Sequence, residues 1–269
     1  MRTERRAGSR WRAWWPTSLS RLVGLHGRLH VRHERVRVPG WRGAPLRIAF
    51  ASDFHAGPTT HPKHLAEACD AIAATTPDIL LLGGDFVQEE AVDIGDLAFR
   101  LGAIPAPLGK LAVLGNHDFT SGGEGVARRL RLAGIDVLQN AAVRLPLPEV
   151  DAWVCGLDDF DEGHPDAVRA LDGTTGVRIV LMHSPETLHE LEGHRFDLAF
   201  CGHTHGGQVA LPGGTPLMMP GGWLNRRFAH GRHDLNDGGT LFVSRGIGFS
   251  RWPVRLFARP EIHLVEVGA

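Results

Sequence analysis

The chain has 269 residues and a formal net charge of −1 with histidine neutral. That length suits one or two domains and buries enough surface to fold without disulfides or a structural metal. Hydrophobic residues at 43% and charged residues at 22% exclude wholesale disorder, and no run approaches the ~20 apolar residues of a membrane-spanning helix. Cys69, Cys155 and Cys201 are far apart, with no Cys-x-x-Cys pair. A disulfide framework and a thiolate zinc site are thereby excluded, and a reducing compartment fits.

The near-zero charge hides an asymmetry. Residues 1–40 hold ten arginines against Glu4 and Glu34, a charge of +8, so the remainder carries −9. Trp11, Trp14 and Trp15 lie in the same basic stretch, which lacks the apolar core of a secretory signal. Export is not expected; a cytoplasmic location is. Trp11, Trp15, Leu19 and Leu22 are spaced for one face of a short helix, interrupted by Pro16. Two readings stay open for it: a tail or helix laid on the domain, or a peripheral anchor on the anionic headgroups of the inner membrane. Residues 1–40 are expected to form an extension and 41–269 the folded domain.

From residue 46 a regular alternation sets in. Leu46–Ser52, Asp78–Gly83, Leu111–Leu114, Ala152–Leu157, Val177–Met182, Leu198–Cys201, Thr240–Ser244 and Glu261–Val267 read as strands, being short, aliphatic or β-branched, and mostly closed by Gly, Asp or other polar residues. Three helical faces lie among the early ones: Leu65, Cys69 and Ile72; Ile94, Leu97, Ala98 and Leu101; Val126 and Leu130. Strands apolar throughout imply sheets covered on both faces. The expected class is α/β, two packed β-sheets flanked by helices.

Polar clusters recur where strands stop. They are Ser52-Asp53-Phe54-His55, Gly83-Gly84-Asp85, Gly115-Asn116-His117-Asp118, His183-Ser184-Pro185 and Gly202-His203-Thr204-His205-Gly206-Gly207-Gln208. Ligands of α/β folds bind beyond the carboxyl ends of strands. In an extended Asp-x-His or His-x-His, the first and third side chains point the same way and can reach one site. Asp53, His55, Asp85, Asn116, His183, His203 and His205 thus supply seven nitrogen and oxygen ligands without sulfur. That is too many for one tetrahedral zinc and enough for two divalent ions sharing a carboxylate. The donor mixture suits manganese, iron or zinc better than magnesium or calcium. His26, His30 and His33, and His61 with His64, sit at helical spacings and read as solvated faces. Asp158, Asp159, Asp161 and Glu162 read most simply as an exposed acidic loop, with a further metal or substrate-gating role as the lesser alternative.

On these motifs the sequence resembles the calcineurin-like metallophosphoesterase superfamily, whose pattern of Asp-x-His, Gly-Asp, Gly-Asn-His-Asp, His and Gly-His-x-His is matched in order over roughly residues 46–267. The run His205–Gln208, with Ser244-Arg245-Gly246-Ile247-Gly248, is similar to its bacterial phosphodiesterase branch, in which one relative hydrolyses UDP-2,3-diacylglucosamine. The resemblance implies a four-layer α-β-β-α sandwich. It also implies Asp53, His55 and His205 on one ion, Asn116, His183 and His203 on the other, and Asp85 bridging. His117 would face the scissile phosphate, with Asp118 fixing its orientation. The implied reaction is hydrolysis of a phosphate ester, more specifically a diester, by hydroxide held between the ions, on a substrate that is lipid- or envelope-linked. Alternatives are a non-catalytic metal-binding scaffold on the same fold and another dinuclear metallohydrolase. A nucleic-acid partner is disfavoured, because the catalytic region is acidic. The Arg/His-rich stretch Trp223–Asp237 follows no pattern that maps onto the resemblance, and oligomeric state is not legible.

Overall fold

The computed structural model describes residues 18–19, 22, 25–236 and 239–268. Among them, strands β1 (His30–Arg37), β2 (Leu46–Ala51), β3 (Ile79–Leu82), β4 (Lys110–Ala112), β5 (Asp136–Val137) and β6 (Ala141–Arg144) come first. They are followed by β7 (Ala152–Gly156), β8 (Val177–Leu181), β9 (Leu198–Cys201), β10 (Gly231–Asp234), β11 (Thr240–Val243) and β12 (Glu261–Gly268). The α-helices are α1 (Pro62–Ala74), α2 (Gly95–Gly102), α3 (Asn116–Thr120), α4 (Gly123–Leu132), α5 (Ala167–Leu171) and α6 (Trp223–Arg227). The strands form two six-stranded sheets, ordered β1-β12-β2-β3-β4-β5 and β10-β11-β9-β8-β7-β6.

Three apolar clusters make the layers. Between the sheets, Ile48, Phe50, Leu81, Val154, Leu181 and Phe200 are buried together, with Phe50 and Phe200 ring centroids 5.3 Å apart. On the outer face of the first sheet, Leu65, Ile72, Leu97, Leu101, Val126 and Leu130 pack from α1, α2 and α4. On the outer face of the second, Ala167, Ala170 and Leu171 of α5 pack against Cys155, Val180 and Ala199. The alternation of inward residues within β2 and β8 therefore feeds two cores at once, as strands covered on both faces must. The α-β-β-α architecture expected from the sequence is the one observed. All three free cysteines are buried, and burial pushes the Cys69 and Cys155 thiols up to about 12.

The N-terminal stretch differs from its expected form. His30–Arg37 is not an extension: it pairs in parallel with β12 at the edge of the first sheet, from His30 opposite Glu261 to Arg37 opposite Gly268. The folded body thus reaches back at least ten residues before the expected boundary at 41. An edge strand rich in Arg and His reads as solvated polar sequence, because one side of its ladder faces water and charge there blunts edge-to-edge pairing. His30 and His33 lie on this strand rather than on a helix. His26 and His64 are buried instead of solvated, packed around Phe249, while His61 caps α1 by accepting from Lys63 N–H. Leu19 and Leu22 are exposed; Trp11 and Trp15, needed for the expected basic helix, lie outside the described residues. No helix among the described residues is long and apolar enough to cross a membrane.

Candidate metal centre

Strands β2, β3 and β4 run parallel, as do β8 and β9, so each set delivers its carboxyl end to one edge of its sheet. The seven expected ligands follow these ends and meet. His55 Nε2 lies 2.9 Å from His205 Nε2, and His205 Nε2 lies 3.5 Å from Asp53 Oδ1. His183 Nε2 lies 3.2 Å from Asn116 Oδ1 and 3.3 Å from His203 Nδ1. A single oxygen, Asp85 Oδ2, stands 3.5 Å from His55 Nε2 and 3.4 Å from His183 Nε2. Two groups of donors therefore share one carboxylate. Candidate ligand atoms of Asp53, His55 and His205 lie within 4.8 Å of one another, as do those of Asp53, Asp85 and His183, and those of His55, Asp85 and His117.

The backbone achieves this convergence differently from the extended Asp-x-His expected from the sequence. Asp53, His55, Asp85, His203 and His205 all have left-handed φ, between 46° and 68°. Strand alternation stops at Ala51 and Cys201, and past those points tight left-handed turns aim each side chain. Such conformations cost non-glycine residues roughly 1–3 kcal/mol each and persist where surroundings over-determine them, most often at functional sites. Close approach requires glycine beside the donors, as two positions illustrate. At Gly202 a Cβ would collide with the Asp53 carboxylate, and at Gly84, with φ 85°, it would strike the Gly115 backbone.

A further set of contacts holds the donors. Ser52 Oγ donates to Asp53 Oδ2 at 2.5 Å and His203 N–H to Asp53 Oδ1 at 3.0 Å. His183 Nδ1 donates to Gly83 O at 2.7 Å, which leaves Nε2 as its inward atom. Asp161 Oδ2 lies 3.6 Å from His203 Nε2, and buried Arg255 places Nη2 3.1 Å from His205 Nδ1. The acidic loop, whose first reading was an exposed one, thus touches the site, and its Asp159 is fully buried. Carboxylates behind a ligating imidazole fix its ring and raise its basicity.

Asp118 does not orient His117 directly. Its Oδ1 accepts from Phe86 and Val87 N–H and its Oδ2 from Gly115 N–H, whereas His117 Nδ1 donates to Gln88 O at 3.0 Å. The carboxylate is consumed by backbone donors at the ends of β3 and β4, so its influence on His117 passes through the Val87–Gln88 backbone.

Burial lowers the pKa of His55 and His203 to about 3 and that of His205 well below its ordinary value, with His55 and Arg255 adding to the effect. These rings are neutral at physiological pH, the form in which imidazole binds a metal. Burial would raise Asp85, yet the charge of and hydrogen bond to His183, with His55 behind, hold it below the usual carboxylate range. The same partnership lifts His183 well above its ordinary value despite burial. Asp53 is raised to about 6 by burial, against the His183 charge. Neutral imidazoles, an ionised shared carboxylate and an amide oxygen form a donor set that fits divalent cations.

A cleft of about 490 Å³ opens at the centre, lined by Asp85, Asn116, His117, His203 and His205 together with Gln208, Met218 and Trp252. The model of the calcineurin-like phosphoesterase domain matches residues 46–207, the span that carries every donor named above.

The chain belongs to the calcineurin-like phosphoesterase family.

This phosphoesterase is 32% identical to an uncharacterized metallophosphoesterase of Aquifex aeolicus, across 84% of this chain and 86% of the relative. It is 29% identical to phosphodiesterase YaeI of Escherichia coli, across 83% of each. It is 28% identical to UDP-2,3-diacylglucosamine pyrophosphatase LpxG of Chlamydia trachomatis, across 82% of this chain and 83% of LpxG. The solved structure of TT1561 from Thermus thermophilus shares the fold, with a TM-score of 0.50 at 13% identity over 76% of this chain and 90% of that one. The protein is a metal-dependent phosphoester hydrolase.

Proposed function

We propose that this phosphoesterase is a phosphodiesterase with a dinuclear centre. Asp53, His55 and His205 hold one divalent cation, Asn116, His183 and His203 the other, and Asp85 both. The observation that carries this reading is Asp85 Oδ2 at 3.4–3.5 Å from a histidine of each group. Manganese is the favoured metal, with iron or zinc as alternatives, because imidazole and carboxylate donors are mixed. When bound, such a pair polarises the phosphoryl oxygens and lowers the pKa of water from 15.7 to about 7.

The chain's own groups do the rest. Neutral His55 and His203 can present lone pairs without first losing a proton. His117 has its Nδ1–H committed to Gln88 O, so it is the imidazolium form whose Nε2–H can be handed to the leaving oxygen, a contribution of ~10²–10⁴-fold for a general acid. Met218 and Trp252 beside these donors suit a substrate with an apolar portion, and the likeness to LpxG supports a lipid-linked ester such as UDP-2,3-diacylglucosamine.

The test is a panel assayed with metal-stripped protein reloaded with manganese: bis-p-nitrophenyl phosphate, p-nitrophenyl phosphate, glycerophosphodiesters, cyclic nucleotides and UDP-2,3-diacylglucosamine. Diesters and the lipid diphosphate should turn over faster than the monoester. Two bound metals with no turnover of any ester would instead favour the scaffold reading.

A further inference from the structure

Six large apolar side chains stand exposed on two loops beside the cleft. Leu211, Leu217 and Met218 lie on one, Trp252, Leu256 and Phe257 on the other, each 43–68% exposed. The loops form one surface unit. Ala210 N–H donates to Leu256 O at 2.8 Å, Leu256 N–H to Gln208 O at 3.0 Å, and Gln208 Nε2 to Trp252 O at 2.6 Å. Leu25, also exposed, joins them by accepting from Arg255 N–H at 2.7 Å. Met218 and Trp252 line the metal cleft. Phe257 lines a separate hollow of about 310 Å³ with Arg32, Arg245 and Arg259. A monomer rarely exposes contiguous apolar side chains of this size without a use for them.

Charge decides what that use is. Residues 203–233 and 238–260 contain no Asp or Glu, and Arg226, Arg227, Arg251 and Arg259 are exposed there, on a region that is otherwise strongly acidic. A second copy of the chain would bring like-charged arginines together. An anionic bilayer accepts both parts, apolar tips at the acyl boundary and guanidinium groups among the headgroups.

We propose that these two loops dock on an anionic lipid bilayer, setting the mouth of the metal cleft at headgroup level so that a lipid-borne phosphoester enters it from the membrane. Only the last clause rests on the phosphodiesterase reading.

The experiment is sedimentation of the full chain with vesicles of phosphatidylcholine and phosphatidylglycerol, against phosphatidylcholine alone. It compares wild type with the double variant Leu217→Glu/Phe257→Asn. Neither residue lines the cleft, and asparagine tolerates the φ of 55° at position 257. The double variant should lose about tenfold in partitioning while turning over soluble bis-p-nitrophenyl phosphate as wild type does. A milder variant, Arg259→Gln, should lose about fivefold on the anionic vesicles alone.

Equal partitioning of wild type and double variant would overturn the proposal, as would equal binding of wild type to both vesicle types or to neither. Loss of soluble turnover in step with binding would assign the loops to the catalytic site instead. Light scattering that shows a wild-type dimer dispersed by the double variant would make the patch a self-association surface. A clear partitioning difference in a protein that hydrolyses no ester would leave docking intact and refute the phosphodiesterase reading.

Discussion

The Nε2 atoms of His55 and His205 face each other at 2.9 Å, each 3.5 Å from a carboxylate oxygen, Asp85 for one and Asp53 for the other. Burial keeps both rings neutral, and Arg255 Nη2 donates to His205 Nδ1, so the His205 proton sits on Nε2 and is donated to His55 Nε2. In the proposed centre a cation would displace that proton and be held by both nitrogens and both carboxylates. Chelation should therefore abolish ester hydrolysis and manganese should restore it. It should also lower the thermal midpoint: at a cation concentration of 100 Kd, loss of binding removes about 2.7 kcal/mol, which is about 5–10 °C for a domain of this size. Scanning calorimetry before and after reloading checks this, and chelator-resistant turnover would contradict it.

In the proposed centre both donor groups would share Asp85, whose Oδ2 lies 3.5 Å from His55 Nε2 and 3.4 Å from His183 Nε2. Asp85→Asn keeps the shape and the acceptor for His117 N–H but removes the negative charge that balances His183. Metal quantitation should show loss of both cations rather than one, and turnover of bis-p-nitrophenyl phosphate should fall by at least about 10²-fold, the loss expected when both ions lose their shared ligand. Wild-type turnover in this variant would refute the shared-carboxylate assignment.

Much of this was legible in the chain, and the gaps have physical causes. The central strands announce themselves because they are covered on both faces, which leaves continuous apolar runs such as Ile79–Leu82 stopped by glycine and aspartate. The donors announce themselves as Asp, Asn and His clustered at those stops. Alternation gave the right partners for the wrong reason: Asp53 with His55 and His203 with His205 converge through left-handed turns beyond the strands. Edge strand β1 and the half-buried β5 and β6 carry too little apolar sequence to stand out. Gln88 holds His117 through a backbone carbonyl, which leaves no mark on residue type. Asp118 misled by adjacency, since its oxygens serve three backbone N–H groups. Arg255 and Asp161 lie 50 and 42 positions from the histidines they touch, His205 and His203, and their signal is spatial only.

His117 can be separated from the ligands by variant and metal count together. Its ring meets His55 edge-on, with centroids 4.8 Å apart, and its donor atom also falls within a candidate ligand group with His55 and Asp85. As a proton donor held by Gln88, it predicts that His117→Ala retains the full metal content and loses ~10²–10⁴-fold in kcat, with a smaller loss for substrates whose leaving group is acidic. Loss of one metal equivalent would make His117 a ligand.

Away from the metal centre, Glu261 gives the fold a pH dependence of definite sign. Its carboxylate is 1% exposed and ties the start of β12 to β1 through Arg32 Nε at 2.6 Å and to the loop after β11 through Arg245 Nη1 at 2.8 Å. His263 Nε2 adds a contact at 3.3 Å. Burial alone would raise its pKa, but the His263 bond and charge, followed by Arg245 and Arg32, hold it well below the ordinary carboxylate range. A carboxylate depressed in the folded state stabilises fully above its unfolded value, 4.5, and loses that contribution as pH falls toward the folded value. Urea unfolding should thus show wild-type stability declining below about pH 4.5. Glu261→Gln leaves two guanidinium groups facing a neutral amide and should cost about 3 kcal/mol near pH 7. The gap between variant and wild type should narrow as the pH drops below 4.5. A gap that stayed constant down to pH ~2 would mean the ion pairs contribute nothing to folding, and β12 would then be held by its ladder and core side chains alone.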